Sequence, residues 1–267
     1  MRALALLLAL LAAPLAAQER IPSHCVALAD GPETLQHASF REPVARDSVR
    51  ITYLDHAMFL IQDQGGLSAA TDFTGYIGNV DFLPDIVTMN HAHGTHWTPY
   101  PDPAIPHVLR GWGEGRPADH YLDMGTMLVR NVTTDIRGRF GQGVEADGNS
   151  IFVFEVAGLC IGHMGHLHHE PSPAQYARLG RMDVVMIAVD GGLTLDLPTV
   201  LRVLERLEAR LVLPMHWFGL ATLDAFLAGM ADTHQIEVRN TASLTVDRES
   251  LPDTPTVVVL RPELLSE

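Results

Sequence analysis

Three shortages narrow the class of this chain before any motif is read. Beyond its first residues no segment reaches 18 uninterrupted apolar residues, so nothing later in it reads as a membrane-spanning helix. There is no basic run and no interleaving of aromatic with basic residues, and 18 Lys and Arg face 32 Asp and Glu, for a formal charge of −14. That balance argues against nucleic acid and anionic membrane surfaces as partners and leaves a small-molecule substrate as the expected one. Low-complexity tracts and short-period repeats are missing too. Cysteine is scarce: only Cys25 and Cys160 occur. Two readings stay open for them. In an oxidising compartment they would pair, tying the N-terminal segment to the strand that leads into a histidine-rich loop; otherwise they are separate thiols. Cys160 is a poor metal-ligand candidate, because it sits within the strand and not in the loop after it.

The 267 residues are 47% hydrophobic, enough for a substantial core. Met1-Arg2 precedes the apolar stretch Ala3 to Leu11 and then Pro14 to Gln18, the pattern of a secretory signal peptide cut after about Ala17. The apolar stretch is too short for a stable anchor. No lipid-attachment pattern of small residues directly precedes Cys25. The expectation is an exported, soluble protein, periplasmic or secreted, with no membrane anchor; loss of Arg2 would shift the charge from −14 to −15. Residues 18–48 are irregular and rich in proline and polar residues and read as an N-terminal extension, and 49–267 as a single domain.

Strand signals come quickly after that: Val49 to Leu54, Met58 to Ile61, Leu67 to Thr71 and Asp85 to Asn90, with Gln64-Gly65-Gly66 as a hairpin turn. Thr98 to Pro117 is dense in proline and glycine and reads as a loop. Tyr121 to Val132 and Ser150 to Ile161 read as strands. The second half alternates. A short helix is expected over Pro173 to Leu179 and a buried strand over Asp183 to Val189. The next helix is capped by Asp196, with Leu197, Val200, Leu201, Leu204 and Leu207 on one face. Leu211 to Met215 reads as a strand, Leu220 to Met230 as a helix, and weak strands lie near Leu244 and Val257. A β-rich half followed by an alternating half suggests an α/β sandwich of two inner sheets and outer helices, with chemistry where strand ends meet loops.

Histidine is the residue in surplus. His91-Ala92-His93-Gly94-Thr95-His96 directly follows the apolar run from Asp85; His163, His166, His168 and His169 share a second stretch; His216 follows Leu211 to Met215. Eight of the 14 histidines fall in these three places, each after a strand-like run. Two histidines two residues apart at a strand end share a side, and imidazoles aimed at one point bind transition metals. Trp97 and Trp217 adjoin ligand candidates and could wall a substrate pocket or pack in the core.

From Val49 to Phe218 the chain resembles the metallo-β-lactamase superfamily of metallohydrolases. It is most similar to the branch that includes ascorbate-phosphate lactonases and N-acyl-phosphatidylethanolamine phospholipases. The elements that carry the resemblance are Ile51 to Ile61, Ala70-Thr71-Asp72, the His91/His93/His96 loop, Gly148 to Glu155, His163 to His169, Val184 to Gly192 and Leu213 to His216. A four-layer αββα sandwich is what the resemblance implies. It also places His56 near the site mouth, as a substrate contact.

Departures from the family are as informative. Where its loop reads H-x-H-x-D-H, Thr95 stands for the Asp. Where a third metal-binding histidine is expected, Thr133-Thr134-Asp135 stands. Where a bridging Asp is expected, His166 stands. Two divalent ions about 3.5–4 Å apart need bridging anions, and imidazoles supply none. The expectation is therefore one ion among His91, His93, His96, His166 and His216, with His91, His93, His166 and His216, or three of these, as the primary set. Zn2+ suits that shell, with Cu2+ or another late first-row metal as the alternative. Bound hydroxide would attack an ester, lactone, phosphodiester or amide. Asp72 would fix the tautomer of a ligand histidine, and His168 would serve as a general acid/base or substrate contact. The competing readings are a non-catalytic periplasmic zinc- or copper-binding protein on a degenerate hydrolase fold and a copper redox enzyme.

Overall fold

A computed structural model describes residues 40–266, apart from 92, 114 and 139–142. The expected signal peptide and most of the expected extension, with Cys25, lie outside the described residues. Cys160 is buried and disulfide-bonded, so it offers no free thiol.

The first half runs through β1 (Ser48–Asp55), β2 (Met58–Asp63), β3 (Ser68–Ala70), β4 (Gly78–Asn79), β5 (Ile86–Met89) and β6 (His107–Arg110). There follow β7 (Tyr121–Asp123), β8 (Met127–Arg137), β9 (Val144–Val156) and β10 (Leu159–His163). The second half alternates as α1 (Pro173–Leu179), β11 (Val184–Ala188), α2 (Leu197–Leu207), β12 (Leu211–Met215) and α3 (Leu220–Met230). It closes with β13 (Gln235–Val238), β14 (Ser243–Asp247), β15 (Thr256–Val259) and β16 (Leu265–Ser266).

Two sheets carry the molecule. One has six strands in the order β14-β1-β2-β3-β5-β6, the other eight in the order β13-β15-β12-β11-β10-β9-β8-β7. Their facing sides share one core, in which Ile51, Phe59 and Ile61 meet Phe152, Phe154, Ile161 and Met186. The helices cover the far side of the eight-stranded sheet. Val200, Val203, Leu204 and Leu207 of α2 and Phe226 of α3 pack there against Val185, Ile187 and Val212. The α/β sandwich is the one the resemblance implies. Among the described residues the far side of the six-stranded sheet carries loops instead of helix: Phe73, Ile77, Ile105 and Leu265 cover Leu60, Val87 and Met89.

Local chemistry explains the boundaries. The Asp196 carboxylate accepts from the Thr199 backbone N–H at 2.9 Å and starts α2 as its N-cap. The single strand expected over Tyr121 to Val132 is a hairpin instead, because Asp123 Oδ1 accepts from the Gly125 N–H at 2.8 Å and Gly125 adopts φ 83°. The strand expected over Ser150 to Ile161 likewise divides at Ala157 and Gly158, which have φ of 52° and 72°. The loop expected over Thr98 to Pro117 contains β6, a short edge strand beside β5.

Parallel pairing gathers the strand ends that bear the histidines. β3 and β5 run parallel in the first sheet, and β10, β11 and β12 in the second. Their carboxyl ends therefore meet at one edge of the sandwich. Phe154 is fully buried between the sheets. Phe154→Ala should cost about 3–5 kcal/mol in urea unfolding; a loss under about 1 kcal/mol would mean that the two sheets are not packed through this residue.

Candidate metal centre

Each chemistry-bearing side chain sits just past a strand end, all but His56 past one of those five. His56 lies in the β1–β2 turn, Asp72 after β3, the His91–His96 loop after β5, His166 after β10, Asp190 after β11 and His216 after β12. Backbone bonds lock the ends together. The His216 N–H donates to the His56 carbonyl at 2.8 Å, and the Tyr53 hydroxyl donates to the same oxygen at 2.6 Å. Asn90 Nδ2 donates to the Ser150 carbonyl at 2.7 Å, joining the two sheets beneath the histidine loop. Gly165, at φ 60°, passes so close to Asn90 and Asn149 that a Cβ would run into both side-chain amides.

Three residues of the site hold backbone conformations that side chains larger than glycine rarely adopt: His56 at φ 47°, Asp72 at 43° and His216 at 59°. Such strain persists where surrounding packing over-determines the position, and it clusters at functional sites.

His96 is wholly buried and its Nδ1 lies 2.6 Å from Asp72 Oδ2, while Asp72 Oδ1 accepts from the Asn90 N–H at 2.9 Å. His216 Nδ1 lies 2.9 Å from Asp190 Oδ2, at an angle short of a good hydrogen bond. Asp190 in turn accepts from the N–H groups of Gly192 and Thr194. With both Nδ1 edges turned to carboxylates, the two Nε2 atoms face each other at 3.1 Å. Two lone pairs cannot rest at that distance; a cation or a proton between them removes the repulsion.

The donors converge in two overlapping triads, His93/His96/His166 and His56/His96/His216, and within each the ligand atoms lie within 4.8 Å of one another. His56 Nε2 and His166 Nδ1 are buried without a hydrogen-bond partner. This donor set fits a late first-row cation: all imidazole, unpaired, and oriented by carboxylates behind it. The expected quartet of His91, His93, His166 and His216 is not what converges. His91 lies outside both triads; its Nδ1 donates to the Gly148 carbonyl at 2.6 Å, and its ring is 6.2 Å from His93 and 5.7 Å from His166. His96 is the shared member instead, because the buried Asp72 pulls it inward.

Charge follows burial. Burial alone would raise the Asp72 and Asp190 carboxyls, but His96 holds the first well below the usual carboxylate range, and His216, Thr194 and Gly192 hold the second at about 2. Burial, and then its neighbouring imidazoles, keep His166 neutral. Burial brings His56 and His168 down to about 4.

A cleft of about 780 Å³ opens over these groups, lined by His91, His93, His166, His168 and His216 together with Ile136, Arg137, Glu145, Leu193 and Phe218. Trp97 and Trp217 are not on it. Trp97 stacks edge-on with Trp112 at 5.6 Å over the outer face of the first sheet, and Trp217 packs beside Tyr53 at 5.5 Å. The apolar wall comes instead from Phe218, one residue further along. His56 meets Phe218 at 5.4 Å behind that wall. His163 is structural: its ring bridges Asn90 and the Ala57 carbonyl in the interior.

A β-lactamase superfamily domain matches residues 50–216. The chain belongs to the metallo-β-lactamase superfamily. A protein named as a metal-dependent hydrolase from Carboxydothermus hydrogenoformans is 25% identical over 198 residues, 63% of this chain and 84% of its own. Among solved structures, a candidate Zn-dependent hydrolase of the superfamily from Thermotoga maritima is 24% identical with a TM-score of 0.54, over 79% of this chain and 98% of its own. A metallo-hydrolase from Ignicoccus hospitalis is 16% identical with a TM-score of 0.51, over 69% and 91%. Both likenesses concern the fold.

Superfamily membership sharpens the departures. Thr95 lines the cleft with no carboxylate to offer. The Thr134 hydroxyl accepts from Asn149 Nδ2 at 2.9 Å, inside the fold. Asp135 is exposed and accepts from the Asp147 N–H, away from the cleft. In the sequence Asp190 reads only as part of a turn with close-approaching glycines. Its signal is its place directly after a buried strand, the same context as Asp72. Glu145, Arg137 and Phe218 have no comparable signal.

Two outcomes test this centre. Asp190→Asn should weaken metal affinity about 10–100-fold by competitive chelator titration; unchanged affinity would remove Asp190 from the centre. His56 and His168 stay neutral down to about 4, whereas the unfolded chain protonates near 6.5. These groups contribute nothing above that value and a growing penalty as the pH falls toward 4. The Tm of metal-free protein should fall between pH 7 and 5, and a flat profile would contradict the burial of these rings.

Proposed function

We propose that this protein is a metal-dependent hydrolase of small neutral acyl compounds, an ester, lactone or amide, with one Zn2+ among the cleft histidines. The observation that carries the reading is the pair of carboxylate-backed imidazoles, the buried His96 and the cleft-lining His216, with facing Nε2 atoms. A bound cation supplies Lewis acidity, acidifying water and polarising the group to be cleaved. Cu2+ is the alternative ion for an all-imidazole set. The leader-like N-terminus supports action outside the cytoplasm. Among the described residues no helix is long and apolar enough to cross a membrane.

The chain's own residues divide the remaining work. His168 Nδ1 accepts from the Arg137 backbone N–H at 2.8 Å, which leaves Nε2 carrying the ring hydrogen. Held neutral at ordinary pH and with that nitrogen buried, it packs against His166 at 4.6 Å in the cleft wall and does not serve as a general acid. His91, with Nδ1 committed to Gly148, keeps an Nε2 lone pair that can take a proton at the cleft wall. Ile136, Leu193 and Phe218 give that wall its apolar part, and Leu193 and Phe218 are exposed.

Phosphodiesters fit less well than acyl compounds. Arg137 is the one arginine among the described residues of the cleft, and its Nη2 is committed to the carbonyls of Gly192, Leu193 and Thr194. That nitrogen is not free for a two-pronged clamp on a phosphate. The similarity of the motif order to the branch with lactonases and phospholipases supports cleavage of either bond; the cleft favours the acyl one.

The deciding experiment is elemental analysis followed by a substrate panel of p-nitrophenyl acyl esters, lactones, amides and bis(p-nitrophenyl) phosphate. About one metal per chain is expected, acyl turnover at least 10-fold faster than phosphodiester turnover, and at least 100-fold loss on chelation with recovery on adding one equivalent of Zn2+. Tight metal binding with no turnover on any of these would identify a metal-binding protein instead. Faster phosphodiester turnover would reassign the substrate class.

A further inference from the structure

Resting on that hydrolase reading, we infer that the cation is seated on the inner triad, with His56 as its third ligand, and that His93 and His166 are left free to face the substrate. The two triads cannot be filled together. Both need His96, and His96 has one lone pair to offer, because its Nδ1 edge is taken by Asp72 at 2.6 Å. One triad must therefore prevail.

Four observations favour the inner one. Its donors include the closest pair in the site: His96 Nε2 and His216 Nε2 are 3.1 Å apart. Two Zn–N bonds of ~2.0–2.1 Å at a tetrahedral angle put their nitrogens roughly 3.4 Å apart, so this pair needs little adjustment. Charge points the same way. Asp72 and Asp190 stand behind two of the three inner ligands, so a divalent ion there has two anions directly behind its ligands. In the outer triad only His96 is backed by a carboxylate, and His93 lies exposed on the loop.

The third observation is His56 itself. Its Nε2 is buried without a hydrogen-bond partner, and its ring centroid lies 3.9 Å from that of His216 and 5.5 Å from that of His96. The fourth is how the backbone places it. His56 holds φ 47°, and the His216 N–H donates to its carbonyl at 2.8 Å, so two inner ligands are fixed to each other through the main chain. A turn that only closed β1 onto β2 would be satisfied by glycine or asparagine without strain. An imidazole there makes the strain serve a donor.

The test compares His56→Asn with His93→Ala in the full-length protein. Asparagine tolerates the left-handed backbone, so the fold should persist, as checked by far-ultraviolet circular dichroism; His56→Gly is the second variant should it not. Zn2+ affinity is read by competition with a chromogenic chelator, and Co2+-loaded protein by its visible absorption. His56→Asn should weaken Zn2+ binding at least 100-fold and change the Co2+ spectrum. His93→Ala should leave affinity within about 3-fold and the spectrum unaltered. Retention of affinity and spectrum in His56→Asn would overturn the assignment, as would loss of affinity in both variants, which would make His93 a ligand. In either case wild-type metal content and turnover would stand. A wild-type chain that binds neither ion would instead remove the hydrolase reading along with this one.

Discussion

Two buried carboxylates, Asp72 and Asp190, each turn one imidazole so that the Nε2 atoms of His96 and His216 meet at 3.1 Å. The rest of the site depends on this constraint. Each carboxylate is anchored by backbone N–H groups, Asn90 for the first and Gly192 and Thr194 for the second, so neither can rotate away when the imidazoles crowd each other. The crowding is an electrostatic cost in the absence of a positive charge. It becomes an attraction when one is present, which is how a protein builds affinity for a cation from groups that carry none themselves.

The fold exists to hold that geometry. Five strands from two sheets end at one edge, and hydrogen bonds such as Asn90 to Ser150 and His216 to His56 stop the sheets from sliding there. The three left-handed conformations at His56, Asp72 and His216 are offset by the surrounding packing. The apolar interior between the sheets, built on Phe59, Phe152 and Phe154, supplies the rigidity that loops alone would lack. Loops after the strand ends then carry the chemistry.

The donor set has a simple physical consequence. Both triads draw on His96, whose one free Nε2 lone pair serves one cation at a time. Neutral imidazoles line the cleft wall. His91, His93 and His166 present lone pairs or N–H groups to whatever enters, beside the apolar surface of Leu193 and Phe218. The cleft also carries Glu145, and Nη2 of its one arginine among the described residues is committed to backbone carbonyls.

Much of this was legible in the linear order of residues. Histidines placed directly after apolar runs, Asp72 after a strand, the Asp196 cap and the face of Val200, Leu204 and Leu207 are local signals, and local spacing and propensity read them. The hairpins at Gly125 and Gly158 escaped because continuous apolar runs hide a two-residue turn. Which imidazoles share a point was not legible. His91 and His96 lie five residues apart and look equivalent, yet one is bonded to the Gly148 carbonyl at the cleft wall while Asp72 draws the other into the interior. Trp97 and Phe218 could not be told apart as wall residues, since the direction of a side chain after a strand end depends on the packing across the sheets. The amino-acid order determined what chemistry was present and which strand ends bore it. Tertiary structure alone decided the ligand pairing, because burial and hydrogen-bond partners more than a dozen residues away orient each ring.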